Sequence, residues 1–157
     1  RFVWDLVADN GLTVPPGTYT VKLTAGAWTQ SQPLEVWLDP RLTADGVTTE
    51  DLELQYRFNL RLRATIADAQ RFTTAVQTAA KSATGDAKTA LDRIVKALVN
   101  EAGISYPQPM LNAQLSAITR VTNVADSRPN NDAERRLADL EKELAALKAD
   151  AAKLGVK

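Results

Sequence analysis

The feature that most constrains the fold is a change in hydrophobic periodicity near residue 41. Before it, apolar and polar residues alternate, and a period of two predicts β-strands. In the clearest run, which follows the rigid turn Pro15-Pro16-Gly17, Tyr19, Val21 and Leu23 share one face. After residue 41, apolar residues recur every three or four positions, which predicts helices. We therefore expect an α+β chain in which a sheet precedes a set of helices.

Three strand-like runs make up the β region, and they are Phe2–Val7, Thr18–Ala25 and Trp28–Leu38. Ala25-Gly26-Ala27 predicts a tight reversal between the second and third runs, while Pro33 marks a sheet edge or a bulge. An immunoglobulin-like sandwich needs about seven strands. Because the chain opens within a strand pattern, we expect residues 1–41 to be a partial immunoglobulin-like antiparallel sheet truncated upstream. The alternative is a small sheet packed on the helices.

The β region ends at Asp39-Pro40-Arg41, and residues 42–47 are predicted to be a linker. Thr48 is expected to cap a helix of about thirty residues that ends near Ser82-Ala83-Thr84-Gly85. No Gly or Pro interrupts this helix. Its apolar stripe is Leu54, Phe58, Leu62, Thr65, Ala69, Phe72 and Val76.

Three further helices follow, with Asp86 and Asn131 as predicted caps of the first and the last. The first carries the stripe Ala87, Leu91, Ile94 and Leu98, and the next carries Leu111, Leu115, Ile118 and Val121. The last has a heptad seam, which we define as Leu137, Leu140, Leu144, Leu147, Ala151 and Leu154. We expect residues 42–157 to form an antiparallel four-helix bundle that buries this seam. Pairing of the seam between chains, as an oligomerisation module, is the alternative.

The residue content argues against several functions. Among 157 residues there is no Cys and no His, so thiolate chemistry, zinc fingers and the usual general base are excluded. Nineteen basic residues balance nineteen acidic ones, which argues against nucleic acid as a partner. No apolar run approaches the roughly 20 residues of a membrane span. We predict no cofactor and no metal site.

Two groups of side chains in the β region are candidates for chemistry. The acids of this region are Asp5, Asp9, Glu35, Asp39 and Asp45, and no two are spaced to converge as a glycosidase pair would. We interpret Asp39 with Arg41 as a structural link between the sheet and the first helix, and predict no catalytic residue. Trp4 is expected in the core. Trp28 and Trp37 are candidates for stacking on carbohydrate or for contacting a neighbouring domain.

The order of several short segments resembles one family. The segments are Phe2–Leu6, Pro16–Thr24, Gln32–Val36 and Asp39–Arg41, followed by a long helix and by Pro129 before the final helix. This order is similar to the C-terminal region of large secreted bacterial β-propeller proteins. These are described as glycosyl hydrolase-like, with BNR or sortilin-type propeller repeats. The resemblance covers nearly the whole chain.

The resemblance implies an accessory role. In that family any glycan-directed activity belongs to the propeller, which lies upstream and has no blade in this chain. We therefore expect a non-catalytic, secreted or otherwise extracytoplasmic module whose main partner is the propeller of its parent chain. We expect the unpaired edge of the strand Phe2–Leu6 either to mediate self-association or to be covered by a helix. Binding of a polysaccharide is a further expected interaction.

Overall fold

The computed structural model describes residues 3–156, and within them the chain is α+β, as predicted. It contains one two-stranded antiparallel sheet and five helices. The elements are β1 (Gly17–Ala25), β2 (Trp28–Val36), α1 (Pro40–Ala44), α2 (Thr49–Ser82), α3 (Gly85–Leu98), α4 (Leu111–Thr122) and α5 (Asn131–Lys153).

The chain divides into two compact units. The first runs to Asn59 and includes Ala125–Pro129, so it holds the sheet, α1 and the start of α2. The second holds the remainder of α2 from Leu60, together with α3, α4 and α5. The predicted domains, 1–41 and 42–157, stay a prediction.

The predicted hairpin forms as expected. β1 and β2 pair in continuous register from Gly17–Val36 to Ala25–Trp28, and Gly26 and Ala27 make a two-residue loop. Gly26 has a φ of 61°, which is the conformation that a type II′ turn requires at its first central position. Pro33 lies within β2 opposite Thr20, so it occupies a sheet edge and not a bulge.

The first predicted strand does not form in the described part, Val3–Val7, and Phe2 lies outside the described residues. Two side chains satisfy backbone groups locally: Trp4 Nε1 donates to the Val7 carbonyl at 3.0 Å, and the Val7 amide donates to Asp5 Oδ1 at 3.0 Å. Leu6 has a φ of 64°, which no strand allows. An isolated antiparallel bridge joins Val7 to Thr13, and the Val14 amide donates to the Leu6 carbonyl at 2.8 Å. Local hydrogen bonds therefore take the place of a strand ladder in residues 3–7.

The short helix α1, Pro40–Ala44, spans the end of the predicted β region and the start of the predicted linker. Asp39 caps it by accepting from the Arg41 amide at 2.9 Å, and Pro40 occupies its first position, where a missing N–H costs nothing. The Arg41 guanidinium also pairs with Asp39 at 2.6 Å. The Asp39–Arg41 pair is thus local to α1 and does not link the sheet to the long helix.

The long helix α2 agrees with its prediction at both ends. Thr48 Oγ1 accepts from the Asp51 amide at 3.2 Å, while Asp51 Oδ2 accepts from the Thr48 amide at 3.0 Å. This reciprocal capping box fixes the start of the helix. The predicted stripe is buried from Phe58 to Val76, and Leu54 is half-buried.

In the second unit, the buried faces of α3, α4 and α5 pack on one another. Side chains also join α2 to two of these helices: Asn112 donates to Thr73 Oγ1 at 2.9 Å, and Lys148 pairs with Asp68. Seven large apolar side chains among the described residues of this unit are almost fully buried, and they are Leu62, Val76, Leu98, Leu111, Leu115, Leu137 and Leu140. The antiparallel four-helix bundle itself stays a prediction.

Three details of these helices correct the sequence analysis. Thr84 occupies the N-cap of α3, and Asp86 lies in the first turn. The buried stripe of α4 ends at Thr122, because the spacing from Ile118 is four, and Val121 is therefore exposed. The cap of α5 is Asn130, whose side chain accepts from the Ala133 amide at 2.7 Å, and not Asn131.

Candidate functional site: the exposed face of the β-hairpin

One face of the hairpin is apolar and open to solvent. Strand alternation and the register place ten residues on it, and we call these the hairpin face: Gly17, Tyr19, Val21, Leu23, Ala25, Trp28, Gln30, Gln32, Leu34 and Val36. Val21 is 48% exposed and Leu23 is 61% exposed. Isolated apolar residues are normal on a surface, whereas a contiguous apolar patch marks an interaction site.

The opposite face of the hairpin is polar. It carries three threonines of β1 with Lys22, and Thr29, Ser31, Pro33 and Glu35 of β2. Thr24 and Thr29 lie opposite each other, with their hydroxyl oxygens 3.2 Å apart. A sheet with one apolar and one polar face is typical of a sheet that packs on one side only. The described residues leave the apolar side without such a cover.

Tyr19 anchors the open end of the hairpin within the first unit. Its ring meets Trp4 edge to face, with centroids 5.5 Å apart, and its hydroxyl donates to the Pro15 carbonyl at 2.5 Å. Burial raises the pKa of Tyr19, and Tyr56 and Glu53 add to the rise. The turn end of the hairpin, in contrast, consists entirely of exposed residues. The hairpin face is therefore packed against other residues of the first unit at its open end and exposed to solvent at its turn end.

The structure does not bring the two candidate tryptophans together. Trp28 begins β2 and is 50% exposed, whereas Trp37 follows its last residue and is 81% exposed. Eight residue steps at about 3.3 Å each separate the ends of β2 by roughly 26 Å. Alternation along β2 also places Trp37 in the phase of Glu35, away from the hairpin face. The two rings therefore do not form one stacking platform.

Sequence reasoning selected the tryptophans and missed Val21 and Leu23. These two residues form the most exposed apolar pair of β1. Their alternation with threonine was visible in the sequence. However, alternation predicts only that one face is apolar, and it does not say whether anything in the chain covers that face.

A second candidate surface is a groove between α2 and α5 in the second unit. Arg61 pairs with Glu141 and lies 3.6 Å from Glu134, and Thr65 Oγ1 donates to Glu141 at 3.0 Å. The Arg61 hydrogen bond is the main cause that lowers the pKa of Glu141, and burial opposes it.

The charged side chains at the other end of this groove are also paired. Asp68 contacts Lys148 and, at 3.6 Å, Arg71, while the Lys148 ammonium lies 5.9 Å from the centre of the Phe72 ring. Opposite charges satisfy one another across the groove. We interpret this arrangement as support for helix packing, because it presents no unpaired group to a ligand.

The heptad seam lies mostly inside the second unit. Leu137, Leu140, Leu144 and Ala151 are buried, Leu147 is half-buried, and Leu154 is 37% exposed. Leu147 and Leu154 line a shallow groove together with Ile94 of α3. Pairing of the seam between chains would therefore require the buried leucines to leave their present contacts.

Among residues 3–156, no three His, Cys, Asp or Glu side chains converge as a metal site would require. The helices of the same residues include none that is long and apolar enough to cross a bilayer. Comparisons of the chain with protein-family models, with curated proteins and with solved structures return no match.

Proposed function

We propose that the chain is a non-catalytic interaction module whose hairpin face docks on a partner protein. The observation that carries this proposal is the exposed apolar face of β1 and β2. A two-stranded hairpin is only marginally stable in water by itself. Burial of Val21, Leu23 and Trp28 against a partner would remove apolar area from water at about 25 cal/mol per Å².

The resemblance described above suggests the identity of the partner. It supports a module carried at the C-terminal region of a secreted, glycosyl hydrolase-like β-propeller protein. On this proposal, the hairpin belongs to an immunoglobulin-like sheet that strands of the parent protein complete. The helices α2 to α5 would form an antiparallel four-helix bundle.

The decisive experiment examines the natural polypeptide that carries this sequence. Peptide mapping of source cells and their medium should find it outside the cytoplasm, in a species several times larger than 17.1 kDa. Amide hydrogen exchange should then be slower in β1 and β2 of that species than in the 157-residue chain alone. A 17.1 kDa species in the cytoplasm, or equal exchange in both samples, would contradict the proposal.

Carbohydrate binding is a second candidate, and the exposure of Trp28 and Trp37 favours it. Because the two rings lie far apart, each would have to stack on sugar separately. Titration of tryptophan fluorescence with a panel of polysaccharides tests this function. Trp28→Ala and Trp37→Ala should each weaken a true response, whereas a flat response to the whole panel excludes the function.

A further inference from the structure

The two outer edges of the hairpin are not equivalent. The residues that flank a two-residue hairpin loop form a hydrogen-bonded pair, so Ala25 bonds Trp28, and every second pair along the register bonds likewise. The residues between these pairs direct their N–H and C=O groups away from the hairpin. We call those of β1 the β1 edge, and they are Thr18, Thr20, Lys22 and Thr24. We call those of β2 the β2 edge, and they are Thr29, Ser31, Pro33 and Glu35.

Pro33 interrupts the β2 edge near its centre. Proline has no N–H to donate, and its ring fills the space that a neighbouring strand would occupy. Directly across the hairpin stands Thr20, which keeps its N–H. The β1 edge therefore offers an unbroken series of outward donors and acceptors, and the β2 edge does not. Among the described residues, no third strand pairs with either edge.

Charge further distinguishes the two edges. Lys22 is the one charged residue on the β1 edge, and Glu35 is the one on the β2 edge. A second copy of this chain would bring to the β1 edge either another lysine-bearing edge or one that Pro33 interrupts. An acidic residue opposite Lys22 would instead form a favourable cross-strand pair. A second copy could place Glu35 opposite Lys22 only through its β2 edge, which Pro33 interrupts, so an uninterrupted acidic strand from elsewhere fits the β1 edge better.

We propose that the β1 edge binds an extended strand of the parent protein by β-strand addition, with an acidic residue opposite Lys22. This inference rests on the proposed function and names its mode of contact. Alternate apolar residues of the added strand would extend the hairpin face beyond Val21 and Leu23. Main-chain bonds would give affinity, and Lys22 would set the register.

The probe is a synthetic nine-residue peptide of alternating valine and threonine with glutamate at its centre. In amide exchange experiments by NMR on the whole chain, we expect the peptide to slow exchange at the β1 edge and not at the β2 edge. A matched peptide with lysine at its centre should bind more weakly. Absence of binding, or protection at the β2 edge instead, would overturn the proposal.

Two reciprocal substitutions test the asymmetry. Thr20→Pro places on the β1 edge the block that Pro33 places on the β2 edge, and it spares the hydrogen-bonded pairs of the hairpin. Loss of one backbone hydrogen bond, together with the steric block, should weaken binding of the peptide about tenfold. Pro33→Thr should leave binding at the β1 edge intact and open a second site at the β2 edge. If the Thr20→Pro variant and the unsubstituted 157-residue chain bound the peptide with equal affinity, the assignment of the β1 edge would be refuted.

A charge reversal keeps the test decisive if Thr20→Pro fails to fold. Lys22→Glu should exchange the preference, so that the lysine peptide binds better than the glutamate peptide. An unchanged preference would overturn the role of Lys22. Sedimentation without peptide tests self-pairing. A concentration-dependent dimer whose β1 edge is protected from amide exchange would overturn the proposal, because the added strand would then come from a second copy of this chain.

Two results would distinguish a failure of strand addition from a failure of the proposed function. If the natural polypeptide protects Val21 and Leu23 but leaves the β1 edge in fast exchange, docking stands and strand addition fails. If the peptide pairs with the β1 edge while the natural polypeptide leaves the hairpin exposed, the edge chemistry stands and the proposed parent contact fails.

Discussion

At the scale of single residues, short polar side chains cap the start of three of the five described helices. Thr48 and Asp51 close a reciprocal box at α2, Asp39 caps α1, and Asn130 caps α5. Each supplies an acceptor to an amide that the helix itself leaves without a partner. Two neighbouring asparagines and one acid therefore give direct tests of the described geometry.

Asn130→Ala should lower the free energy of unfolding by about 1 kcal/mol, because the Ala133 amide loses its side-chain acceptor. Asn131→Ala is the matched control, since it removes the same chemical group one residue later. We expect the control to cost about 0.5 kcal/mol or less. Urea denaturation of both variants measures the difference, and equal losses would contradict the assignment of the cap.

Asp39 should titrate far below an ordinary aspartate. Hydrogen bonds from the Arg41 side chain and then its backbone lower the Asp39 pKa from 3.8 to about 2. Since the folded pKa is depressed, the contribution of Asp39 to stability is complete above pH 3.8. It is lost as the pH falls toward 2.

Carboxyl chemical shifts recorded against pH give the Asp39 midpoint directly. Arg41→Gln should raise the midpoint toward 3.8, whereas Arg57→Gln, on a different helix, should leave it unchanged. An Asp39 titration midpoint near 3.8 in the unsubstituted chain would show that the Asp39–Arg41 pair does not persist in solution.

At the scale of elements, the long α-helices were the most predictable part of the chain. The stripe from Phe58 to Val76 is buried as the three-four spacing predicts, and Gly26 supplies the expected hairpin reversal. The misses have physical causes. Val3–Val7 has a strand-like pattern, but Trp4 and Asp5 bond nearby backbone and Leu6 takes a left-handed φ. Such local competition leaves no trace in periodicity.

The helix α1 was missed although its signal was present. Asp39 followed directly by Pro40 is a cap residue with a proline at the first helical position. The five-residue length of α1 leaves no room for an apolar stripe, so only the cap could have indicated it. The exposure of the hairpin face, in contrast, could not be predicted from the sequence. The alternation of apolar and polar residues is the same whether the apolar side is covered or not.

The heptad seam gives a prediction at the same scale. Leu140→Ala should cost about 2–5 kcal/mol of unfolding free energy, because the side chain is fully buried in the second unit. Leu154→Ala, at the exposed end of the same seam, should cost less than about 1 kcal/mol. Thermal and urea unfolding measure both values. A large loss at Leu154 would indicate burial between chains.

Sedimentation separates the two possible uses of the seam. Leu144→Glu places a charge at a buried position, so it should abolish folding of the second unit if the seam packs within one chain. Replacement of a dimer by a folded monomer would instead support an oligomerisation module.

At the scale of the whole molecule, the chain combines a helical unit that has a buried apolar core with a hairpin that has an exposed apolar face. The double variant Val21→Thr with Leu23→Thr should lower binding of the apolar dye ANS. It should change the free energy of unfolding by only about 0.5 kcal/mol, since both side chains are exposed.

A matched double variant, Thr20→Ser with Thr24→Ser, alters the polar face of the same strand. We expect it to leave dye binding unchanged. If both double variants lowered dye binding equally, the dye would be reporting general loosening of the hairpin and not its apolar face.

The placement of Trp4, Trp28 and Trp37 also determines which part of this chain tryptophan fluorescence reports on. All three indoles belong to the first unit, and the second contains none. Tryptophan emission therefore follows the first unit alone, while circular dichroism at 222 nm is dominated by helix. Trp28 and Trp37 already face water, so Trp4 beside Tyr19 should provide most of the spectral change. Coincident melting curves from the two signals would show that both units unfold as one cooperative body.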